Sequence, residues 1–155
     1  MENGLKVSRL HKNDVNLFIQ LIGLLNEVFE EYHTVGSKKQ LEKLLNKPEF
    51  YAVAAFMNGI IIGGLTAYEL ERYYNDKSEL YIYDIAVKPE FQNQGVGKRL
   101  INYLKEYASK KGIETIFVDA YSEDKQAVKF YESTMGKGEK VRHFNFEIKT
   151  TNNKP

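Results

Sequence analysis

The stretch Ile85-Ala86-Val87-Lys88-Pro89-Glu90-Phe91-Gln92-Asn93-Gln94-Gly95-Val96-Gly97 decides how this chain is read. A β-type run from Ser78 to Val87 ends at Lys88-Pro89-Glu90, where proline removes a ladder donor. Beyond the turn, Val96, Leu100, Ile101, Leu104, Tyr107 and Ala108 recur at helical spacing, and Gly112 stops the helix. A strand therefore passes through a tight turn into a helix, with Gly95 and Gly97 at the helix start. Missing Cβ atoms let an anionic group approach the backbone closely. The first helical N–H groups have no intrahelical acceptor, and the helix dipole favours negative charge there. That is the physics of a pyrophosphate cradle, with Lys98 and Arg99 adding charge. The spacing is not GxxxxGK[ST]. Nor is it the Rossmann GxGxxG, whose third glycine would fall at Leu100. On the glycines alone, a plain Gly-rich turn before a helix is an equal reading.

Working upstream, Leu5, Val7 and Leu10 allow a short strand. Val15, Phe18, Ile19, Ile22, Leu25 and Phe29 give a helix with one apolar face, capped by Asn13 or Asp14. Ser37 with Gln40 reads as a capping box for a second helix through Leu41, Leu44 and Leu45. Phe50–Met57 and Ile60–Leu70 are strands joined by Asn58-Gly59, a strong hairpin signal. Downstream, Thr115–Ala120 reads as a strand, Asp124 caps a helix carrying Ala127, Val128, Phe130 and Tyr131, and Val141–Ile148 reads as a strand closing the sheet. The order β-α-α-β-β-β-α-β-α-β predicts a mixed α/β sheet, mostly antiparallel, with one right-handed parallel crossover and helices on both faces. Residues 1–148 form one domain and residues 149–155 a polar tail.

At 155 residues the chain has the length of one domain with a sizeable core. Hydrophobic residues make up 43% and charged residues 28%, which excludes disorder over most of the length. The net charge of +1 supplies no basic excess for a general nucleic-acid binder. Cysteine is absent, so disulfides, thiolate metal sites and cysteine nucleophiles are excluded. The three histidines, His11, His33 and His143, show no metal-binding spacing. No signal peptide or membrane-length apolar run is visible, so the expectation is a cytoplasmic protein without a membrane or nucleic-acid partner.

The chain resembles the GNAT superfamily of acetyl-CoA-dependent N-acetyltransferases. The family signature, Arg/Gln-x-x-Gly-x-Gly/Ala after an "A-V-x-P-E" turn, stands here as Gln92-Asn93-Gln94-Gly95-Val96-Gly97 after Ala86-Val87-Lys88-Pro89-Glu90. The second family element, N-x-x-A-x-x-x-Y, is Asp124-Lys125-Gln126-Ala127-Val128-Lys129-Phe130-Tyr131, with Asp in place of the usual Asn. Within the superfamily the likeness is to type I aminoglycoside 3-N-acetyltransferases, through Phe50–Phe56, Ser78–Val87 and the ending Val141-Arg142-His143-Phe144-Asn145-Phe146. The resemblance implies the GNAT fold, acetyl-CoA as co-substrate and direct attack of an amine on the thioester. It implies that the strands 78–87 and 115–120 splay apart. Pantetheine would then pair near Ile85, Ala86 and Val87, and pyrophosphate would rest on amides from Asn93 to Lys98. Gln92, Gln94, Gly95, Val96, Gly97, Asp124, Ala127 and Phe130 complete the implied coenzyme contacts. Homodimers are common in such enzymes.

Attack by an amine needs a proton acceptor, because only about one in a thousand primary amines is neutral at pH 7. By strict alternation Asp84 shares a face with Leu80 and Ile82, where burial raises a carboxyl's pKa and suits it to the task. A β-bulge turning Asp84 elsewhere, or a structural hydrogen bond, is the competing reading. Glu79, acting through water, and Tyr81 are the rivals, on the opposite parity of the strand. The resemblance puts Tyr131 beside the thioester as the acid for the leaving thiolate. A polycationic amino sugar calls for several carboxylates. Glu30, Glu31, Asp119 and Glu123, with Tyr83, are expected around the acceptor, although solvated surface charge explains some of them equally well. The alternatives to an aminoglycoside are a protein N-terminus, a lysine or a polyamine. A non-catalytic acyl-CoA sensor would tolerate loss of both Asp84 and Tyr131.

Overall fold

The computed structural model describes residues 4–151. They divide into two compact units, Met1–Asp119 and Ala120–Pro155. The first unit holds a five-stranded sheet: β1 (Leu5–Arg9), β2 (Phe50–Met57), β3 (Ile60–Glu71), β4 (Ser78–Val87) and β5 (Thr115–Val118) lie side by side in that order. The first three pairings are antiparallel and β4–β5 is parallel. The mixed, mostly antiparallel sheet expected from the sequence is thus present.

Local chemistry sets the boundaries. The β2–β3 hairpin turns at Asn58 (φ 51°) and Gly59 (φ 79°), the paired positive φ values of a type I′ turn. The helix α1 (Val15–Phe29) follows a short 3₁₀ turn in which the His11 N–H donates to Asp14 Oδ2 at 2.8 Å. Ser37 Oγ accepts from the Gln40 N–H at 3.2 Å and caps α2 (Lys38–Leu45). Gly95 (φ 84°) begins α3 (Val96–Lys111), and Gly112 (φ 72°) ends it.

Two apolar layers sandwich the sheet. Val15, Phe18, Leu21, Leu24 and Leu25 of α1 and Leu41 and Leu45 of α2 join Phe50, Ala52, Ala54, Ile61 and Ala86 in one core. The buried face of α1 centres on Leu21, so Ile19 and Ile22 flank it half-buried and Phe29 is exposed. Leu21 packs so tightly that a Cβ on Gly64 of β3 would collide with it. Val96, Leu100, Ile101, Leu104 and Ala108 of α3 are buried too. Tyr107 of α3 meets Tyr51 of β2 edge-on at 5.3 Å. Tyr51 has the opposite parity to Phe50 and Ala52, so α3 covers the other side of the sheet.

In the second unit, Asp124 Oδ1 accepts from the Ala127 N–H at 3.0 Å and starts α4 (Lys125–Met135). Beyond Gly136 the sequence expectation fails: residues 136–150 form no regular element, so Val141–Ile148 is not a strand. Its alternation is real, but a strand exists only where a neighbour's N–H and C=O groups complete the ladder. The expected tail, 149–155, lies mostly outside the described residues.

Candidate active site

Pairing between β4 and β5 runs from Glu79↔Thr115 to Ile82↔Val118 and stops. β4 continues to Val87, bonded to β3 alone. Its main-chain groups from Tyr83 to Val87 therefore have no strand partner on the β5 side among the described residues. This is the fork that the family resemblance implies. The chain then makes a 3₁₀ turn at Pro89–Phe91. The Gln92 side-chain amide donates back to Val87 O at 2.9 Å, and that of Gln94 to Glu90 O at 2.9 Å. Asn93 (φ 57°) and Gly95 (φ 84°) both lie in the left-handed region and swing the backbone into α3. Arg99 is the first residue whose N–H finds the helix, at Gly95 O (3.0 Å). The amides of Val96, Gly97 and Lys98 are thus left as donors at the positive end of a four-turn helix. Open strand edge and free amides follow one another along a single run of chain.

Asp84 does not share a face with Leu80 and Ile82. Thr66 faces Asp84 while Ala67 faces Ile82, so Tyr83 is an extra residue and β4 is bulged. The bulge moves Asp84 to the side of Tyr81, Tyr68 and Ala86, which is the side covered by α1. Burial pushes its carboxyl above the usual carboxylate range; Glu31 adds to this and His33 opposes it. Glu31 and His33 sit just past the end of α1, whose last turn closes on Glu30 in a left-handed conformation (φ 55°). Glu31 Oε2 is 2.9 Å from His33 Nε2, and Asn26 Nδ2 donates to His33 O at 3.3 Å, fixing the loop. Aromatic rings line the same side: Tyr83 meets Tyr68 at 5.8 Å and Tyr81 at 6.1 Å, and Tyr81 stacks on Phe117 at 4.8 Å. Burial, then neighbouring Tyr83 and Asp84, raise the Tyr68 hydroxyl's pKa. Tyr83 itself is 61% exposed.

The other expected site residues divide clearly. Asp119, directly after β5, accepts from Tyr81 Oη at 3.0 Å and so stands at the fork. Glu79 does not: it lies five residues from Asp84, about 17 Å along an extended strand. Its carboxylate is held by Arg72 at 3.1 Å, and Arg72 also binds Glu114 and Thr115 Oγ1. Glu30 is exposed at the end of α1. Within the second unit, Asp124 is committed to its helix cap, with Ala127 as the donor. Glu123 lies just before the cap, and its main-chain oxygen accepts from the Lys125 N–H. Phe130 and Tyr131 are adjacent on α4, rings 5.3 Å apart. Among the described residues no three His, Asp or Glu stand together as a metal site. No helix among them is long and apolar enough to cross a membrane.

Sequence reasoning missed His33 and Tyr68, and had Tyr81 only as a rival to Asp84 on the same strand. His33 follows Glu31 by two residues beyond a helix end, where side-chain direction depends on the loop. Tyr68 and Tyr81 face each other across β3 and β4, a relation that only the register reveals.

The profile of the acetyltransferase (GNAT) family matches residues 18–136, most of the chain. The chain belongs to that family. GNAT members are acetyl-CoA-dependent acetyltransferases, and the relatives described next carry that activity in their names. An aminoglycoside acetyltransferase, meta-AAC0020, from an uncultured soil metagenomic sample is 43% identical, with a TM-score of 0.92 over 96% of this chain and 99% of that one. It has been solved with trehalose and with sisomicin. A second soil aminoglycoside acetyltransferase, HMB0005, is 35% identical, with a TM-score of 0.88 over 94% and 99% of the two chains. The [ribosomal protein bS18]-alanine N-acetyltransferase of Escherichia coli K12 is 30% identical over 71 residues. That match covers 46% of this chain and 47% of the relative, so the chain spans about half the length of the curated relatives it matches there.

Proposed function

We propose that this GNAT protein transfers the acetyl group of acetyl-CoA to a primary amine of a cationic amino sugar, an aminoglycoside. The observation that carries the reading is the fork: β4 leaves β5 at Ile82 and runs, edge open, straight into the free amides of α3. An open edge suits the amides of pantetheine, and helix N-terminal donors suit a pyrophosphate. The residues present therefore fit the coenzyme. Ile85, Ala86 and Val87 would hold its pantetheine, and Asn93 to Lys98 its phosphates. Acetyl-CoA supplies an acetyl carbonyl activated by a thiol leaving group.

In this reading the amine nitrogen forms a bond to the acetyl carbon and the carbon–sulfur bond breaks. Asp84 takes the amine's proton, and Tyr131 delivers one to the departing sulfur. The half-buried Asp84 carboxyl, kept above the ordinary range, is a better acceptor than a free carboxylate. Glu31 and Asp119 attract the cationic acceptor, and the exposed Tyr83 ring offers a flat apolar surface to a sugar. Resemblance across 96% of the chain at 43% identity favours the aminoglycoside. A protein N-terminus is disfavoured, because that match covers 46% of the chain. We further read residues 1–148 as one catalytic domain, working in the cytoplasm as a homodimer on a small molecule, with drug resistance as its effect.

Thiol release from acetyl-CoA tests this, with sisomicin, polyamines and peptides beginning with alanine as acceptors. Turnover confined to sisomicin-like amines, lost in Asp84→Asn and Tyr131→Phe, is the expected result. Turnover on the peptides alone would overturn the acceptor, and turnover untouched by both substitutions would overturn the mechanism.

A further inference from the structure

The point where β4 and β5 part is built from side chains as well as backbone. Tyr81 and Phe117 face each other one step before the last pair, Ile82↔Val118. Their rings lie flat on one another, with centroids 4.8 Å apart and planes 13° apart. Asp119 follows the last pair and stands outside the ladder. Alternation carried one residue on puts it on the face of Phe117. The Tyr81 hydroxyl reaches across and donates to Asp119 Oδ2 at 3.0 Å. A side-chain bond therefore ties the two strands past the point where their backbones have separated. On the other prong, Tyr83, the extra residue of the bulge, meets the Tyr81 ring edge-on at 6.1 Å. Tyr81 thus touches both prongs of the fork. Burial, then the Asp119 carboxylate, raise the hydroxyl's pKa, so it keeps its proton and remains a donor. All four residues belong to the first unit.

We propose that Tyr81 is a positioning residue for coenzyme binding: its ring, and its hydroxyl tied to Asp119, hold the fork at the width that receives pantetheine. The inference rests on the coenzyme placement proposed above and not on the identity of the acceptor. The physical reason is preorganisation. An untied end of β5 samples many positions, and binding must then freeze it at a cost in affinity. A tie already present in the free protein removes that cost. It also leaves the edge of Tyr83–Val87 open, because it joins the strands through side chains rather than through the backbone groups that pantetheine would use. Asp119 has two roles in this account. One oxygen accepts from Tyr81, and the charge attracts the cationic acceptor. Substitution separates the roles, since Asp119→Asn retains an oxygen that accepts a hydrogen bond and loses the charge.

The test is calorimetric titration of the full chain with coenzyme A alone, followed by steady-state kinetics with acetyl-CoA. Tyr81→Phe keeps the ring and removes the hydroxyl. It raises the dissociation constant for coenzyme A about 3–10-fold, the scale of one hydrogen bond. KM for acetyl-CoA rises with it, while kcat at saturation stays within about twofold. Asp119→Ala matches that loss, and the two changes together are no worse than either alone. Asp119→Asn keeps coenzyme affinity within about twofold of the wild type, while KM for the acceptor rises. Tyr107→Phe, which removes a hydroxyl bonded to Arg9 on the other side of the sheet, leaves coenzyme affinity unchanged. A merely structural tyrosine gives a lower Tm and no split between KM and kcat. Wild-type coenzyme affinity in Tyr81→Phe would overturn the proposal. So would additive losses in the double variant, or Asp119→Asn binding as weakly as Asp119→Ala. A wild-type chain that does not bind coenzyme A would instead overturn the coenzyme placement, and this inference with it. Should Tyr81→Phe fail to fold, the comparison of Asp119→Ala with Asp119→Asn decides alone.

Discussion

The two halves of β4 are one strand with two jobs. From Ser78 to Ile82 it is bonded on both sides, to β3 and to β5. Leu80 and Ile82 are fully buried there, and Glu79 is tied to Arg72. From Tyr83 to Val87 it is bulged, open on one side, and carries Asp84 in a half-buried place that raises its pKa. The first half keeps the sheet together. The second half has an open backbone edge and a carboxyl in an unfavourable place, which are the parts that the proposed chemistry needs. A single extra residue, Tyr83, marks the boundary.

The largest effect expected from breaking this contrast is at Asp84. Asp84→Asn should lower kcat/KM by about 10²–10⁴-fold. The same change should raise Tm at pH 7, because the charged form of a group with a raised folded pKa costs folding energy. The sign is definite: that stabilisation fades as pH falls below the unfolded Asp value of about 3.9, where both states are protonated. Thermal melts across pH read it. In the holding half, Glu79→Gln should leave kcat/KM within about twofold and lower Tm instead, since it breaks the Arg72 cluster.

Next in size is packing. Leu80→Ala should cost about 2–5 kcal/mol of unfolding free energy by denaturant titration. Tyr83→Ala, at an exposed position, should cost no more than about 0.5 kcal/mol and show itself as a higher KM for the acceptor. At the end of the open half, Gly95→Ala forces an L residue into the left-handed region that Gly95 occupies. The cost is roughly 1–2 kcal/mol, and KM for acetyl-CoA should rise. The smallest effect sharpens the electrostatics of Asp84. Glu31→Gln removes a neighbour that raises the Asp84 pKa, so the acidic limb of the kcat/KM profile should move to lower pH. His33→Ala removes a lowering influence and should move it to higher pH.

The same division governs what can be read from sequence. The Asn58-Gly59 hairpin, the Ser37 cap, the Gly95–Gly112 limits of α3 and the strand–turn–helix cradle are all local, so their residues announce them. The bulge is not local. Alternation along β4 alone puts Asp84 with Leu80 and Ile82. Only the pairing of Thr66 and Ala67 on β3 shows that Tyr83 is extra. The Glu79–Arg72 pair depends on register too, since Arg72 follows β3 in the turn of the same hairpin and the pairing of β3 with β4 brings it to Glu79. Val141–Ile148 shows the converse: its pattern is a strand's, but forming one depends on a partner that the pattern does not name.

The most direct test of the two-halves account is amide hydrogen exchange with and without acetyl-CoA. The account predicts new protection at Tyr83–Val87 and at Asn93–Lys98, and none from Ser78 to Ile82. Protection spread evenly along β4, or absent from both the open edge and the start of α3, would contradict it.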